Sequence, residues 1–441
     1  MSLLSKAAWL QILEQRHPSA IDMGLARVGV VADRLKAREF AAPVITVAGT
    51  NGKGSTVATL VAVGRAAGWR VAHYTSPHLV DFNERIGING VLISDAELVQ
   101  ALDAVEAVRG DISLTYFEHT TLAALHWFQR QSPDLIVLEI GLGGRLDAVN
   151  LVDATVAVIT SVDLDHQDWL GHTIAEIARE KAGVMRAQRP VILGEREPHS
   201  VLLEHAHSLA ASVWIKGRDY SFQAPDFKEH ASRETSGGWH WQGRDGVQWP
   251  NLPLPRVVCD NAATALAALQ ALSQVSALQI DLDAVRRGLP DAFVTGRLQR
   301  LPGLPETWLD VGHNPHGARF LWQHLPKALP QQRTLAVFAM LQDKDVAGVI
   351  AASQAFVDSW WLAGLPGPRG LTAAQLAERV NAALTDAYVA DDGSAAGATA
   401  IHQHAGVEEA LQAARQAAQG NDRIIVFGSF LTVAAVLSAG G

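Results

Sequence analysis

Val44-Ile-Thr-Val-Ala-Gly-Thr-Asn-Gly-Lys-Gly-Ser-Thr-Val-Ala-Thr-Leu60 decides the fold: a β-branched run empties into a glycine-rich turn and then a helix. Gly49, Gly52 and Gly54 let backbone N–H groups turn inward on an anion. Lys53 adds a mobile positive charge, and the helix that follows points its positive end at the same place. The stretch reads as a phosphate cradle, and a nucleotide is its natural guest. It departs from G-x-x-x-x-G-K-[ST], because the first glycine comes late and Gly54 follows the lysine, with Ser55 one step beyond. A glycine turn that holds no ligand would not need the lysine.

Outward from the cradle, Val71 to Ser76 is a second buried strand, stopped by Pro77. Loops after such strands face the ligand crevice of an open α/β sheet, which places Ser76 near the phosphates; alone, a serine before proline is a turn residue. Asp134-Leu-Ile-Val-Leu-Glu-Ile140 fits a central parallel strand fenced on both faces. A carboxylate at its end, Glu139, is expensive to bury unless something such as a metal ion compensates. The strand Ala154 to Ser161 runs into Val162-Asp-Leu-Asp-His-Gln-Asp-Trp-Leu-Gly171, whose aspartates and histidine cannot be core. They are either solvated loop charge or metal ligands; His166 with Glu139 and a hydroxyl would give Mg²⁺ partial coordination. Lys181, in the helix from Ile174 to Met185, reads alone as an exposed lysine. Asn261 stands in the first turn of a helix from Asp260 to Gln270, where its amide can reach a ligand.

At the N-terminus a helix over residues 3 to 15 is expected to turn Leu3, Leu4, Trp9, Leu10, Ile12 and Leu13 toward a core. The polar stretch 216–251, with Trp239, Trp241 and Trp249 between charges, reads as rim hairpins whose tryptophans pack rather than stack on a ligand. Pro290 to Gln299 is a linker. Beyond it, strands at 307–311, 334–338, 359–363, 387–390 and 423–427 alternate with helical patterns, which implies a second, mostly parallel sheet with crossover helices. Its first strand ends in Asp310-Val-Gly-His-Asn-Pro315. A nucleotide on one domain and polar residues offered by the next suggest a cleft that closes during reaction.

A chain of 441 residues accommodates two or three domains at about 150 residues each. Net charge of −9 and the absence of a basic stripe argue against nucleic-acid binding, so positive charge or metal must be concentrated locally. A single cysteine, Cys259, excludes an intramolecular disulfide framework. Neither a signal peptide nor an apolar run of about 18 residues is present, so no membrane is expected and the cytoplasm is the expected location.

Ala48-Gly-Thr-Asn-Gly-Lys-Gly-Ser55, Ser76-Pro-His-Leu79, Leu138-Glu-Ile-Gly-Leu-Gly-Gly-Arg-Leu-Asp147, Asp165-His-Gln-Asp-Trp-Leu-Gly171, Glu180-Lys-Ala-Gly183 and Asp310-Val-Gly-His-Asn-Pro315 together resemble the folylpolyglutamate synthase family, relatives of the Mur ligases. The resemblance spans nearly the whole chain and is nearest to the bifunctional bacterial members. It implies a two-domain α/β architecture: a P-loop domain with a mostly parallel sheet over residues 1–295, and a smaller Rossmann-like domain over 296–441. It implies an ATP-dependent amide ligase, in which the γ-phosphate moves to a substrate carboxylate and glutamate's amine displaces it from the acyl phosphate. L-Glutamate would be joined to dihydropteroate and to reduced folates. Gly49, Thr50, Asn51, Gly52, Lys53, Gly54 and Ser55 would hold ATP with Asn261 and Arg297, and Asp310 and His313 would contact its γ-phosphate. Ser76, Glu139 and His166 match Mg²⁺ ligands, and Lys181 matches a lysine that becomes carbamylated to bind a second Mg²⁺. Ile21, Met23, Thr115, Phe117 and Ala148 match positions lining a dihydropteroate pocket, with Phe117 suited to stack on a flat ring. Gly312, in place of the usual alanine, and Ser55, in place of a frequent threonine, remove no functional group. Arg145 and Asp147 are expected either to act on ligand or to brace the glycine loop by an ion pair.

Two other readings stand beside this one. A cell-wall Mur-type ligase shares the chemistry but is expected to carry a UDP-sugar domain, for which some 45 residues before the cradle leave no room. A regulatory nucleotide switch is disfavoured by the second α/β domain and the absence of an Asn-Lys-x-Asp signature. No dimerisation stripe is evident, and a monomer is expected.

Overall fold

A computed structural model describes residues 4–19, 21–224, 238–390 and 400–439, and these fall into two compact units dividing between Phe293 and Val294. No helix among them is long and apolar enough to cross a membrane.

In the first unit the strands are β1 (Val44–Ala48), β2 (Val71–Tyr74), β3 (Ile86–Ile88), β4 (Val91–Leu92), β5 (Leu135–Glu139), β6 (Val156–Ile159), β7 (Pro190–Leu193) and β8 (Ser212–Ile215). Among the described residues they form one eight-stranded sheet in the order β4-β3-β2-β5-β1-β6-β7-β8. The pairings from β2 to β8 are parallel, and only the β3 and β4 edge is antiparallel. Every residue of β1, β5, β6 and β7 is buried, as expected of strands covered on both faces. Val47 lies opposite Glu139, Tyr74 opposite Leu138, and Ala48 opposite Ile159. The carboxyl ends of β2, β5, β1 and β6 are therefore neighbours, and the cradle, Ser76, Glu139 and the segment 160–171 leave the sheet along one edge.

Three antiparallel strands follow: β9 (Ser221–Gln223), β10 (Trp239–Gln242) and β11 (Gln248–Leu252), with β10 in the middle. Their tryptophans are core. Trp241 stacks on Trp249 with centroids 4.5 Å apart, and its indole N–H donates to the carbonyl of Ala263.

The second unit holds β12 (Gln299–Leu301), β13 (Glu306–Asp310), β14 (Thr334–Phe338), β15 (Ser359–Ala363), β16 (Ala400–His404) and β17 (Arg423–Phe427). Their order is β12-β13-β17-β14-β15-β16, parallel except for β12. An aromatic and aliphatic core around Trp308, Trp322, Phe338, Trp360 and Phe427 fixes this sheet to its helices.

Three expectations need correction. Residues 387–390 end the helix Ala373–Ala390, and the strand comes later, as β16. The last residue of the linker, Gln299, begins an edge strand, Gln299–Leu301. The first helix is Lys6–Arg16, capped by Ser5, and buries only Trp9 and Leu13; Leu4 is exposed, Leu10 and Ile12 are half-buried, and Leu3 lies outside the described residues. Lys6 begins that helix and pairs instead with Asp81 and Asp95.

Candidate active site

The cradle is shaped by backbone as much as by charge. Gly52 has φ +86°, and a Cβ there would sit 2.5 Å from the Asn261 side-chain oxygen. Gly49 has φ +148°, and a side chain would collide with the Thr160 hydroxyl. The loop is laced to the segment after β6: Thr50 N–H donates to Ser161 O at 2.8 Å, Asn51 N–H to Ser161 Oγ at 3.1 Å, and Asp163 N–H to Thr50 Oγ1 at 2.9 Å. From the first turn of the helix Lys53–Ala66, Lys53 Nζ donates to the carbonyls of Gly49 and Thr50 at 2.9 and 3.2 Å. Its charge is thus held over the loop whose amides would meet phosphate; Gly54 and Ser55 complete the same turn. Asn261, buried in the first turn of the helix Cys259–Val275, closes the cradle from the other side.

One strand along, the Ser76 N–H donates to Glu139 Oε2 at 3.2 Å, so these two candidate metal ligands meet. Glu139 is buried. His166 is not gathered with them so tightly: it starts a short helix at φ +50°, its side chain is 43% exposed, and its Nε2 lies 4.0 Å from Asp165. Among the described residues no three carboxylate, imidazole or thiolate groups converge as a metal cluster. A complete coordination shell would draw on other donors, such as a serine hydroxyl or a modified lysine.

Lys181 is the correction that matters most. It is 3% exposed, and burial, with the nearby charge of Lys53, pushes its ammonium down to about 7, against the opposite pull of Asp165 and Glu195. The glycine loop after β5 covers it: a Cβ on Gly144 would lie 2.7 Å from Glu180 O and 3.1 Å from Lys181 Cα. A signal was present in the sequence, since Lys181 falls on the stripe of Ile174, Ile177 and Ala178, at i, i+3, i+4 and i+7. The expected Arg145–Asp147 ion pair does not form. Arg145 pairs with Glu180 at 2.7 Å, and Asp147 accepts from the N–H groups of Leu142 and Val149. Burial raises the Asp147 carboxyl to about 6.

Of the candidate ring-binding residues, Phe117 is half-buried, 6.1 Å from the Tyr74 ring and packed on Gly141, where a Cβ would meet it at 2.6 Å. Met23 reaches toward Gly143, Ala148 is buried in the turn that Asp147 caps, and Ile21 is half-buried. Thr115 caps the helix Tyr116–Gln131 in a reciprocal box with Glu118, which fixes its place at the start of the helix that carries Phe117. Sequence reasoning missed the chain of charges that follows, in which Glu118 pairs with Arg27 at 3.0 Å and Arg27 with Asp22 at 2.5 Å.

In the second unit Asp310 ends β13, buried, and accepts from Leu298 N–H at 3.0 Å and Gly312 N–H at 2.7 Å; burial raises its carboxyl, opposed by Arg297. The Gly312 Cα is crowded, as a Cβ would lie 2.9 Å from Asp310 Oδ1. Arg297 and His313 both lie against Phe430, at 5.9 and 5.8 Å, an aromatic platform the sequence did not announce.

Residues 47–269 match the Mur ligase middle domain and residues 296–430 the Mur ligase glutamate ligase domain. The chain is 43% identical over 432 residues to the dihydrofolate synthase/folylpolyglutamate synthase of Escherichia coli strain K12, covering 98% of this chain and 94% of that one. It superimposes with a TM-score of 0.89 on E. coli FolC in complex with DHPP and ADP, at 41% identity and covering 99% and 98% of the two chains. With a bifunctional folylpolyglutamate synthase/dihydrofolate synthase bound to Mn, AMPPNP and L-glutamate the TM-score is 0.86, at 43% identity and the same coverage. Similarity of this extent, running through both domains, means that the chain belongs to the dihydrofolate synthase/folylpolyglutamate synthase family of Mur-type ligases.

Proposed function

We propose that the chain is an ATP-dependent ligase that joins L-glutamate to dihydropteroate and to the γ-carboxyl of reduced folates through an acyl phosphate. The observation that carries the reading is the edge formed by the carboxyl ends of β2, β5, β1 and β6. There a lysine-bearing anion cradle and a buried carboxylate touching a serine leave one sheet, and the buried Lys181 of the helix Ile174–Ala182 feels the charge of the cradle lysine.

The cradle amides from Gly49 to Ser55 and the Lys53 ammonium hold the triphosphate, and Asn261 orients the nucleotide at Gly52. Lys53 neutralises charge on the transferring phosphoryl group. Phe117, with Ile21, Met23, Thr115 and Ala148, seats the pterin ring. From the second unit we assign Arg297, Asp310 and His313 to the nucleotide. Ser76, Glu139 and His166 offer donors to one hard divalent cation, Mg²⁺, and Lys181 to a second. Lys181 fits that second role as a carbamate, because an amine near 7 is about half unprotonated, and so able to react with CO₂, at neutral pH, and the product replaces a buried cation by an oxygen ligand. The cation would supply further neutralisation of phosphoryl oxygens.

The test is phosphate release by the full chain with ATP and Mg²⁺. Release that needs both dihydropteroate and L-glutamate, with a glutamylated product by mass, is expected. Release in the absence of both would overturn the proposal and favour a nucleotide switch.

A further inference from the structure

Arg85 closes the turn Phe82–Arg85, which follows Ser76-Pro77-His78-Leu79, and it is only 9% exposed. Its guanidinium lies 5.2 Å from the Phe82 ring and 5.7 Å from the Tyr116 ring, an aromatic shelf that suits a cation. Its Nε donates to His78 Nδ1 at 2.8 Å, and its carbonyl accepts from Thr75 N–H at 2.9 Å, one residue from Ser76. What it lacks among the described residues is a carboxylate. Neighbouring Glu84 accepts from the N–H groups of Leu79, Val80 and Asp81, while Asp81 pairs with Lys6. Arginine offers five N–H donors, and a buried charge is ordinarily paired. The terminal nitrogens are not among the sealed, unpaired side-chain atoms, so they keep an open face. The guanidinium stands next to the candidate ring-binding residues: the Tyr116 ring against it belongs to the residue before Phe117, and Tyr74, 6.1 Å from Phe117, feels the Arg85 charge.

We infer that the open edge of Arg85 binds the carboxylate of the pteroate-type acid substrate, aligning it while Phe117 holds the ring. This rests on the reading of the acid substrate given above. A planar fork on a rigid aromatic shelf is preorganised for a bidentate carboxylate, whereas a cation needed only to pin His78 would use one N–H.

The experiment is calorimetric titration of the full chain, without nucleotide or metal, with dihydropteroate and with its carboxamide, for wild type, Arg85→Gln and Arg85→Lys. Wild type is expected to prefer the acid by about tenfold to a hundredfold, the range of a charge-assisted pair. Arg85→Gln should lose that preference while binding the carboxamide as before, and Arg85→Lys should fall between. The preference is a ratio within one protein, so a partly unfolded variant does not distort it. A retained preference in Arg85→Gln, an equal loss for both ligands, or no preference in wild type would overturn the proposal. An Arg85-dependent preference in a protein that releases no phosphate with ATP, Mg²⁺ and glutamate would instead leave Arg85 standing and remove the ligase reading.

Discussion

Lys181→Met removes a buried charge at nearly constant volume, and its effect on stability follows from one number. The unfolded chain holds the lysine proton near its ordinary 10.5, whereas the folded protein releases it near 7. Between those values the unfolded state binds more protons, so the wild-type protein is destabilised most at and below pH 7 and recovers as pH rises toward 10.5. At about 1.36 kcal/mol per pH unit, the handicap is about 4 kcal/mol at pH 7 and about 2 kcal/mol at pH 9. Urea unfolding of both proteins in CO₂-depleted buffer should therefore show Lys181→Met more stable at pH 7 by a margin that shrinks by about half at pH 9. Titrations of groups that do not feel Lys181 are shared and cancel in the difference, which leaves Lys181 and the Glu195 carboxyl coupled to it. Added bicarbonate should stabilise wild type alone, because a carbamate beside Lys53 turns repulsion into attraction, while Lys181→Met stays inactive in ligation. A margin independent of pH, or a wild type more stable than the variant at pH 7 without CO₂, would refute the reasoning.

Four further outcomes are expected. Lys53→Ala and His166→Ala should each abolish glutamate-dependent phosphate release while far-UV circular dichroism stays as in wild type; full activity in either removes that residue from the mechanism. Gly52→Ala forces a Cβ into a left-handed backbone and onto Asn261, at about 1–2 kcal/mol for the backbone alone, so nucleotide affinity measured by titration should fall about tenfold or more. Trp241→Ala deletes a fully buried, stacked ring and should cost about 3–5 kcal/mol in urea unfolding. Arg145→Ala, at a half-exposed ion pair, should cost less than about 1 kcal/mol, which thermal melting will bound.

What the sequence made legible was whatever depends on local pattern. The strands β14, β15 and β17 fall on the runs read from sequence, each four apolar residues opened by one polar residue, because strands covered on both faces are apolar along most of their length. The cradle was legible for a related reason: Gly52 and Lys53 have few uses together apart from an anion. Contacts between segments distant in sequence were not legible. Residues 387–390 have β-like composition, but they continue a helix whose preceding turns bury Leu376, Ala377 and Val380. Arg145 turned to Glu180 because the glycine loop lies on the end of the helix Ile174–Ala182, where Arg145 N–H meets Glu180 O at 2.8 Å.

That last contact bears on how the chain would build a cation site beside its phosphate cradle. Gly144 and Gly183 allow two backbones to touch, and the touch buries Lys181 rather than leaving it to solvent. A lysine kept in water would be protonated in all but about one molecule in a few thousand at pH 7, and so inert toward CO₂. Burial beside Lys53 makes roughly half of it neutral. Under the proposed carbamylation, the stability given up to hold it there would be recovered as the amine becomes an anion, which would couple the completeness of the site to the stability of the fold. Any substitution that lifts the glycine loop off Lys181, such as Gly144→Val, should therefore restore an ordinary lysine and weaken the bicarbonate effect in parallel with ligase activity. Loss of activity with the bicarbonate response intact would separate the two and break this argument.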